Sequence, residues 1–140
     1  MTSVISPDTI RAYREALYRV RAPVPFTLRV DAPCPALAAL HAAHGVAASA
    51  FLTACNPLGR QLGDAANARR QAALADALAV RRLALVDGVG EDPSGLWPGE
   101  PSLLALGLDA AAARALGERF EQNAILASGP DAVPRLVLLR

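Results

Sequence analysis

The stretch AFLTACNP, residues 50–57, decides how the rest of this chain is read. Its first half is an uninterrupted apolar run and predicts a buried strand. Asn56-Pro57 stops that run. A segment rich in hydrogen-bonding side chains follows, with Arg60, Gln61, Asp64, Asn67, Arg69 and Arg70. Strand ends that open into such loops are where α/β-type domains usually hold ligands. The expectation is a soluble α+β domain with a candidate pocket at the end of this strand.

Upstream, Ser6-Pro7-Asp8 has the makings of a helix start: a serine cap, proline at the first helical position and an acid in the first turn. Ile10, Tyr13, Leu17 and Val20 fall on one helical face, so the helix is expected to run as far as Val20 before Pro23 and Pro25. Phe26 to Val30 alternates apolar and polar, as a half-exposed strand does. A second helix is expected between Pro35 and His44, closed by Gly45, and Val46 to Ala54 is the buried strand. Downstream, Asp64 is the expected N-cap of a third helix that runs to about Val80. Its inner face carries Asn67, Gln71 or Arg70, Leu74 and Leu78. Arg82 to Val86 reads as a strand and Asp87-Gly88 as the start of a turn.

From Val89 to Pro101 no period is visible, which predicts a long loop around the only tryptophan, Trp97. Ser102 to Leu108 reads as a strand. Asp109 caps a fourth helix with Leu116, Phe120 and Asn123 on one face. Ala124 to Ser128, a turn at Gly129-Pro130-Asp131, and Val133 to Leu139 make a C-terminal β-hairpin. The whole, residues 1–140, is expected to be a single α+β domain. Its mixed sheet has about five to six strands with helices packed on it, because helical crossovers favour parallel pairs.

Composition narrows the function classes. With 53% apolar residues the chain can build a core, yet no run of 18 uncharged apolar residues exists to span a bilayer. Met1 to Ile10 lacks a basic region followed by an apolar stretch, so cytoplasmic residence without membrane contact is expected. A net charge of +1 argues against a nucleic-acid partner. All 14 basic residues are arginine. The absence of lysine excludes Schiff-base chemistry, a lysine nucleophile and a P-loop phosphate site. A minority of the arginines would suit an anion. Cys34 and Cys55 are too few for a disulfide framework and read as small apolar residues. His41 and His44 share a helix face with no carboxylate beside them, so they read as structural or surface residues and no metal is expected.

Chemistry-bearing residues recur at apolar positions. Asn67 and Asn123 fall on otherwise apolar helix faces, Asn56 closes the buried strand, and Glu100 and Ser102 sit where the long loop re-enters the sheet. With Gln122, Trp97 and a positive charge from Arg60 or Arg70, these form a candidate ligand-binding set. Glu100 is the candidate general base, since burial raises a carboxyl pKa toward neutrality. Each residue also has a structural reading: asparagine before proline makes an Asx-type turn, asparagine at a helix end caps it, and glutamate pairs with arginine. No Gly-x-Ser-x-Gly or other nucleophile motif is present, and Gly88-Val89-Gly90 opens no helix, which excludes a dinucleotide fingerprint.

Residues 50–57, then Asn67 with Arg70, then Trp97-Pro98-Gly99-Glu100-Pro101-Ser102, and Phe120-Glu121-Gln122-Asn123-Ala124-Ile125 resemble the bacterial domain-of-unknown-function family 3293. That family carries Thr-Ala-x-Asn-Pro, Trp-x-x-Glu-x-Ser and Gln-Asn-Ala segments in this order. Cys55 departs from the pattern, which has an aromatic residue there, commonly tryptophan. The resemblance implies that Asn56, Asn67, Trp97, Glu100, Ser102, Gln122 and Asn123 belong together. It implies no reaction, cofactor or partner. The leading expectation is therefore binding of a polar or anionic small molecule at an Asn/Arg/Glu-lined pocket. Two alternatives stand beside it: an assembly module, with the alanine-rich Pro35 to Ala43 helix suiting a homodimer, and a hydrolase-like enzyme using Glu100.

Overall fold

The Ser6 side chain accepts the Thr9 amide at 3.2 Å and Pro7 follows at the first helical position, which starts α1 (Pro7–Glu15) as the sequence predicts. The computed structural model describes residues 3–95 and 97–140. Met1 and Thr2, part of the stretch read for a leader, and Leu96 in the long loop lie outside the described residues. The elements after α1 are β1 (Leu17–Val20), β2 (Phe26–Leu28), α2 (Pro35–His44), β3 (Ser49–Leu52), a 3-10 turn at Pro57–Gly59, α3 (Asp64–Ala79), β4 (Ala84–Glu91), β5 (Glu100–Leu106), α4 (Ala110–Arg119), β6 (Ala124–Ser128) and β7 (Arg135–Leu138).

The strands form one seven-stranded sheet in the order β2-β1-β4-β5-β3-β6-β7. Every neighbouring pair is antiparallel, so the expected mixed sheet of five to six strands is corrected to seven antiparallel ones. The helical crossovers explain the difference. Those through α2, α3 and α4 do join strands of the same direction, but none lands beside the strand it left: three strands lie between β2 and β3, and one in each of the other two cases. Thus β5 lies between β3 and β4, and β3 lies between β5 and β6. The C-terminal hairpin of β6 and β7 is as expected.

Two further corrections concern β1 and β4. The first helix ends at Glu15, and Leu17–Val20 is a strand paired with both β2 and β4. Leu17 and Val20 lie three apart, a spacing that suits a helix face, but the backbone hydrogen bonds here are made across the sheet. Asp87-Gly88, read as a turn, lies inside β4. A Cβ on Gly88 would come within 2.6 Å of both the Arg19 carbonyl oxygen and the Phe51 ring. Glycine is there because two neighbours approach, not because the chain turns.

Local chemistry holds elsewhere. Gly45 takes the left-handed conformation (φ 64°) after α2, and the Asp109 carboxylate caps α4 by accepting the Ala112 amide. Asp64 is the first residue of α3 rather than its cap, which is Gly63. The two faces of the sheet carry separate cores, set by the alternation along β3. Ala50 and Leu52 pack with Leu74, Leu78, Leu103 and Leu116 under α3 and α4, while Phe51 packs with Leu28, Leu37, Leu104 and Leu126 under α2. Among the described residues no helix is long and apolar enough to cross a membrane.

Candidate functional site

One end of the sheet collects the C-terminal end of β3 and the N-terminal ends of β5 and β6. Thr53, Glu100 and Ala124 therefore lie side by side at the mouth of a cavity. The segment after β3 is what closes it. Asn56 adopts a left-handed conformation (φ 51°) immediately before Pro57, and Leu58 does the same (φ 54°). Glu121, after α4, is a third such residue, and its carbonyl accepts the Leu58 amide at 2.7 Å. Three of the six non-glycine residues with positive φ among those described thus sit in two touching turns. Such conformations each cost about 1–3 kcal/mol and persist where surrounding bonds hold them.

Those bonds come from amides. The Asn56 backbone N–H donates to Asn67 Oδ1 at 2.9 Å, and Asn67 Nδ2 donates back to Asn56 Oδ1 at 2.9 Å. The Leu62 amide also donates to Asn56 Oδ1, at 2.9 Å. That leaves Asn56 Nδ2 to donate to Glu100 Oε2 at 2.7 Å. Asn67 lies in the first turns of α3, on the same face as Leu74 and Leu78, both fully buried. Asn56 therefore contacts both Asn67 and Glu100 and links the two.

Other candidates brace this arrangement. Arg70 donates from Nε to the Ala54 carbonyl at 2.6 Å and from Nη2 to the Phe120 carbonyl at 2.5 Å, with Glu121 at 3.9 Å. It ties the end of β3 to the end of α4. Gln122, buried, donates from Nε2 to the carbonyls of Cys55 and Phe120, both at 3.1 Å. Ser102, also buried, donates to the Glu100 carbonyl at 3.1 Å. Asn123 lies beyond α4 rather than on it, donating from Nδ2 to the Tyr13 hydroxyl at 3.0 Å and accepting Arg140 Nη1 at 2.8 Å. A Cβ on Gly59 (φ 75°) would stand 3.2 Å from Asn123 Nδ2. Arg60 is exposed and lines neither hollow of this site.

The site has two connected parts. An inner cavity of about 60 Å³ is lined by Tyr13, Tyr18, Phe51, Trp97, Glu100 and Asn123, among others. An outer bowl of about 410 Å³ shares Tyr13, Trp97, Glu100, Gln122 and Asn123 with it and adds Asn56, Leu58 and Arg140. Asn67 lines neither; it borders a separate hollow of about 560 Å³ on the α3 side, with Cys55, Gln71 and Asp87. Trp97 stacks at a tilt on Tyr13, ring centroids 5.1 Å apart, and Tyr18 meets Phe51 edge-on at 5.6 Å.

Burial pushes the Glu100 carboxyl above its ordinary range, and the hydrogen bond from Asn56 pulls weakly the other way. Among the described residues, the ion pairs engage other carboxylates, not Glu100. Burial likewise raises both tyrosines, so they are neutral hydroxyl groups at neutral pH. Two buried donors lack a partner among the described residues, Trp97 Nε1 and Gln71 Nε2.

A family model described as Protein of unknown function (DUF3293) matches residues 52–125, just over half of the chain. The chain belongs to this family. The DUF3293 match contains Asn56, Arg60, Asn67, Arg70, Trp97, Glu100, Ser102, Gln122 and Asn123, and it leaves out Tyr13, Tyr18 and Arg140. No curated protein and no solved structure matches the chain.

Sequence reasoning missed those three residues. Tyr13 was placed on a packing face of α1, but its hydroxyl needed a polar partner there, and that was the available signal. Tyr18 was hidden by the misread helix. The histidines part company: His41 is buried and hydrogen-bonds Ser49 at 2.7 Å, while His44 is exposed.

Proposed function

We propose that this member of the DUF3293 family binds a small polar molecule in the cavity between Trp97, Tyr13 and Glu100. One observation carries the reading: a carboxyl group without an ionic partner among the described residues lines a hollow large enough to hold a ligand. A purely structural glutamate would be expected to be neutralised by one of the 14 arginines. The backbone strain at Asn56, Leu58 and Glu121 supports the reading, since strained turns gather at binding sites. Glu100, Trp97, Gln122 and Asn123 line both parts of the site, Ser102 the inner and Asn56 the outer one, whereas Asn67 and Arg70 hold the walls in place.

This division changes what the ligand is expected to be. Arg70 is committed to two carbonyl oxygens and Arg60 stands outside, so neither supplies a clamp for an anion. A buried carboxyl whose pKa is raised is also the kind of group that serves as a general acid or base, which keeps acid–base catalysis by Glu100 within the same reading. The test is thermal stabilisation by a panel of small amines, alcohols and carboxylates, measured on the wild type and on Trp97→Ala. A ligand-dependent rise in Tm that Trp97→Ala abolishes supports binding here. Indifference of the wild type to every class on the panel refutes it.

A further inference from the structure

We infer that the inner cavity takes the ammonium head of a small amine bearing a neighbouring hydrogen-bond acceptor, with Glu100 as its counter-charge; this rests on the binding reading above and names the ligand class. Four of the chain's six aromatic residues, Tyr13, Tyr18, Phe51 and Trp97, line this one cavity. Ring faces attract cations, and cages of such rings are how proteins recognise ammonium groups. Among the described residues, the only ionisable side chains bordering the cavity are Glu100 and the two neutral phenols, and no arginine lines it. An anion would meet the Glu100 carboxylate unfavourably, whereas an ammonium meets it favourably and gains further wherever a ring turns its face to it.

The volume sets the size of the head. A dry cavity of about 150 Å³ accommodates a six-carbon ring, so the 60 Å³ here holds about two or three heavy atoms. The remainder of the ligand extends into the outer bowl, which shares Trp97 and Glu100. A second, independent observation asks for an acceptor. Trp97 Nε1–H is shut off from solvent with no partner among the described residues, a state that buried donors rarely keep. The indole lines the cavity while its Nε1–H is closed to water, so a hydroxyl or carboxylate beside the ammonium reaches it as the ring shifts on binding, a change the Nε1–H resonance reports. Asn56 holds one oxygen of Glu100, and the other, with no hydrogen-bond partner among the described residues, is the one assigned to the ammonium hydrogens.

Ethanolammonium, ethylene glycol and glycolate share a two-carbon frame and differ in the charge at one end. Titrating each into the full chain while following the single indole Nε1–H resonance of Trp97 separates the cases. Ethanolammonium is expected to shift the resonance saturably and to bind about tenfold or more tighter than ethylene glycol, the factor equivalent to about 1.4 kcal/mol. Glu100→Gln should remove that preference while leaving the indole resonance dispersed. Preferential binding of glycolate, or equal binding of glycol and ethanolammonium, overturns the ammonium assignment and leaves the cavity a ligand site. No shift from any of the three overturns the ammonium assignment as well, and the broader binding reading is then judged separately by the thermal panel.

Discussion

Replacing Asn67 by alanine removes two of the four side-chain hydrogen bonds that hold Asn56 in its left-handed conformation. Asn56 is only 6% exposed, so water cannot readily replace the lost acceptor for its backbone N–H. An unsatisfied buried donor costs about 1–3 kcal/mol, and the second bond, whose oxygen keeps the Leu62 amide, adds roughly 1 kcal/mol. The expected loss is about 2–4 kcal/mol. With an unfolding entropy of about 2 cal/mol/K per residue, a chain of 140 residues loses roughly 3 °C in Tm per kcal/mol, so Tm should fall by about 7–14 °C. Urea unfolding reads the free energy directly, with the exposed Arg69→Ala in the same helix as a control within about 0.5 kcal/mol of wild type. A cycle with Asn56→Gly, which keeps the backbone conformation and deletes the side chain, should show a coupling of about 1 kcal/mol or more. If Asn67→Ala unfolds within 0.5 kcal/mol of wild type, the amide pair does not hold the turn and the account of the site walls is wrong.

Gly88→Ala forces a methyl group against the Arg19 carbonyl and Phe51, both 2.6 Å away, and should lower stability by about 1–3 kcal/mol in a thermal melt. A neutral result would mean the strands part easily there. Arg70→Ala strands the carbonyls of Ala54 and Phe120 and should cost about 1–3 kcal/mol, whereas Arg60→Ala should lie within about 0.5 kcal/mol of wild type; equal effects would contradict the separate placements. Glu100→Gln should give a protein at least as stable as wild type at neutral pH. The folded-state pKa of Glu100 lies above its ordinary 4.5, so the folded state holds the proton longer and wild-type stability falls as pH rises through that folded value. The advantage of the glutamine variant should therefore shrink on acidification below the ordinary glutamate range. A variant less stable at neutral pH, with a gap that widens upward, would show that the ionised carboxylate stabilises the fold.

The parts of the fold that were legible are those written in local chemistry. Gly45 ends α2 and Asp109 caps α4, each because one residue type suits one backbone conformation, and the Gly129-Pro130-Asp131 turn opens the connection from β6 to β7. Non-local pairing was not legible. Leu17 and Val20 fit a helical stripe equally well, and only the pairing with β2 and β4 makes them a strand. Gly88 resembles a turn residue until Phe51 is seen to need its space. The site followed the same rule. Asn56, Asn67 and Glu100 were legible together because a buried amide on an apolar face must find a partner. The arginines were not, since guanidinium groups suit carbonyl oxygens as well as ligands, and Arg70 proved to serve the former.

Trp97 is the chain's sole tryptophan and borders both parts of the cavity, so its intrinsic fluorescence reports on the site alone. Titrating small polar solutes while recording that emission asks whether anything enters beside Glu100. A saturable change that vanishes in Glu100→Gln is the predicted result. Emission unmoved by amines, alcohols and carboxylates alike would show a filled, structural polar network and contradict the binding site.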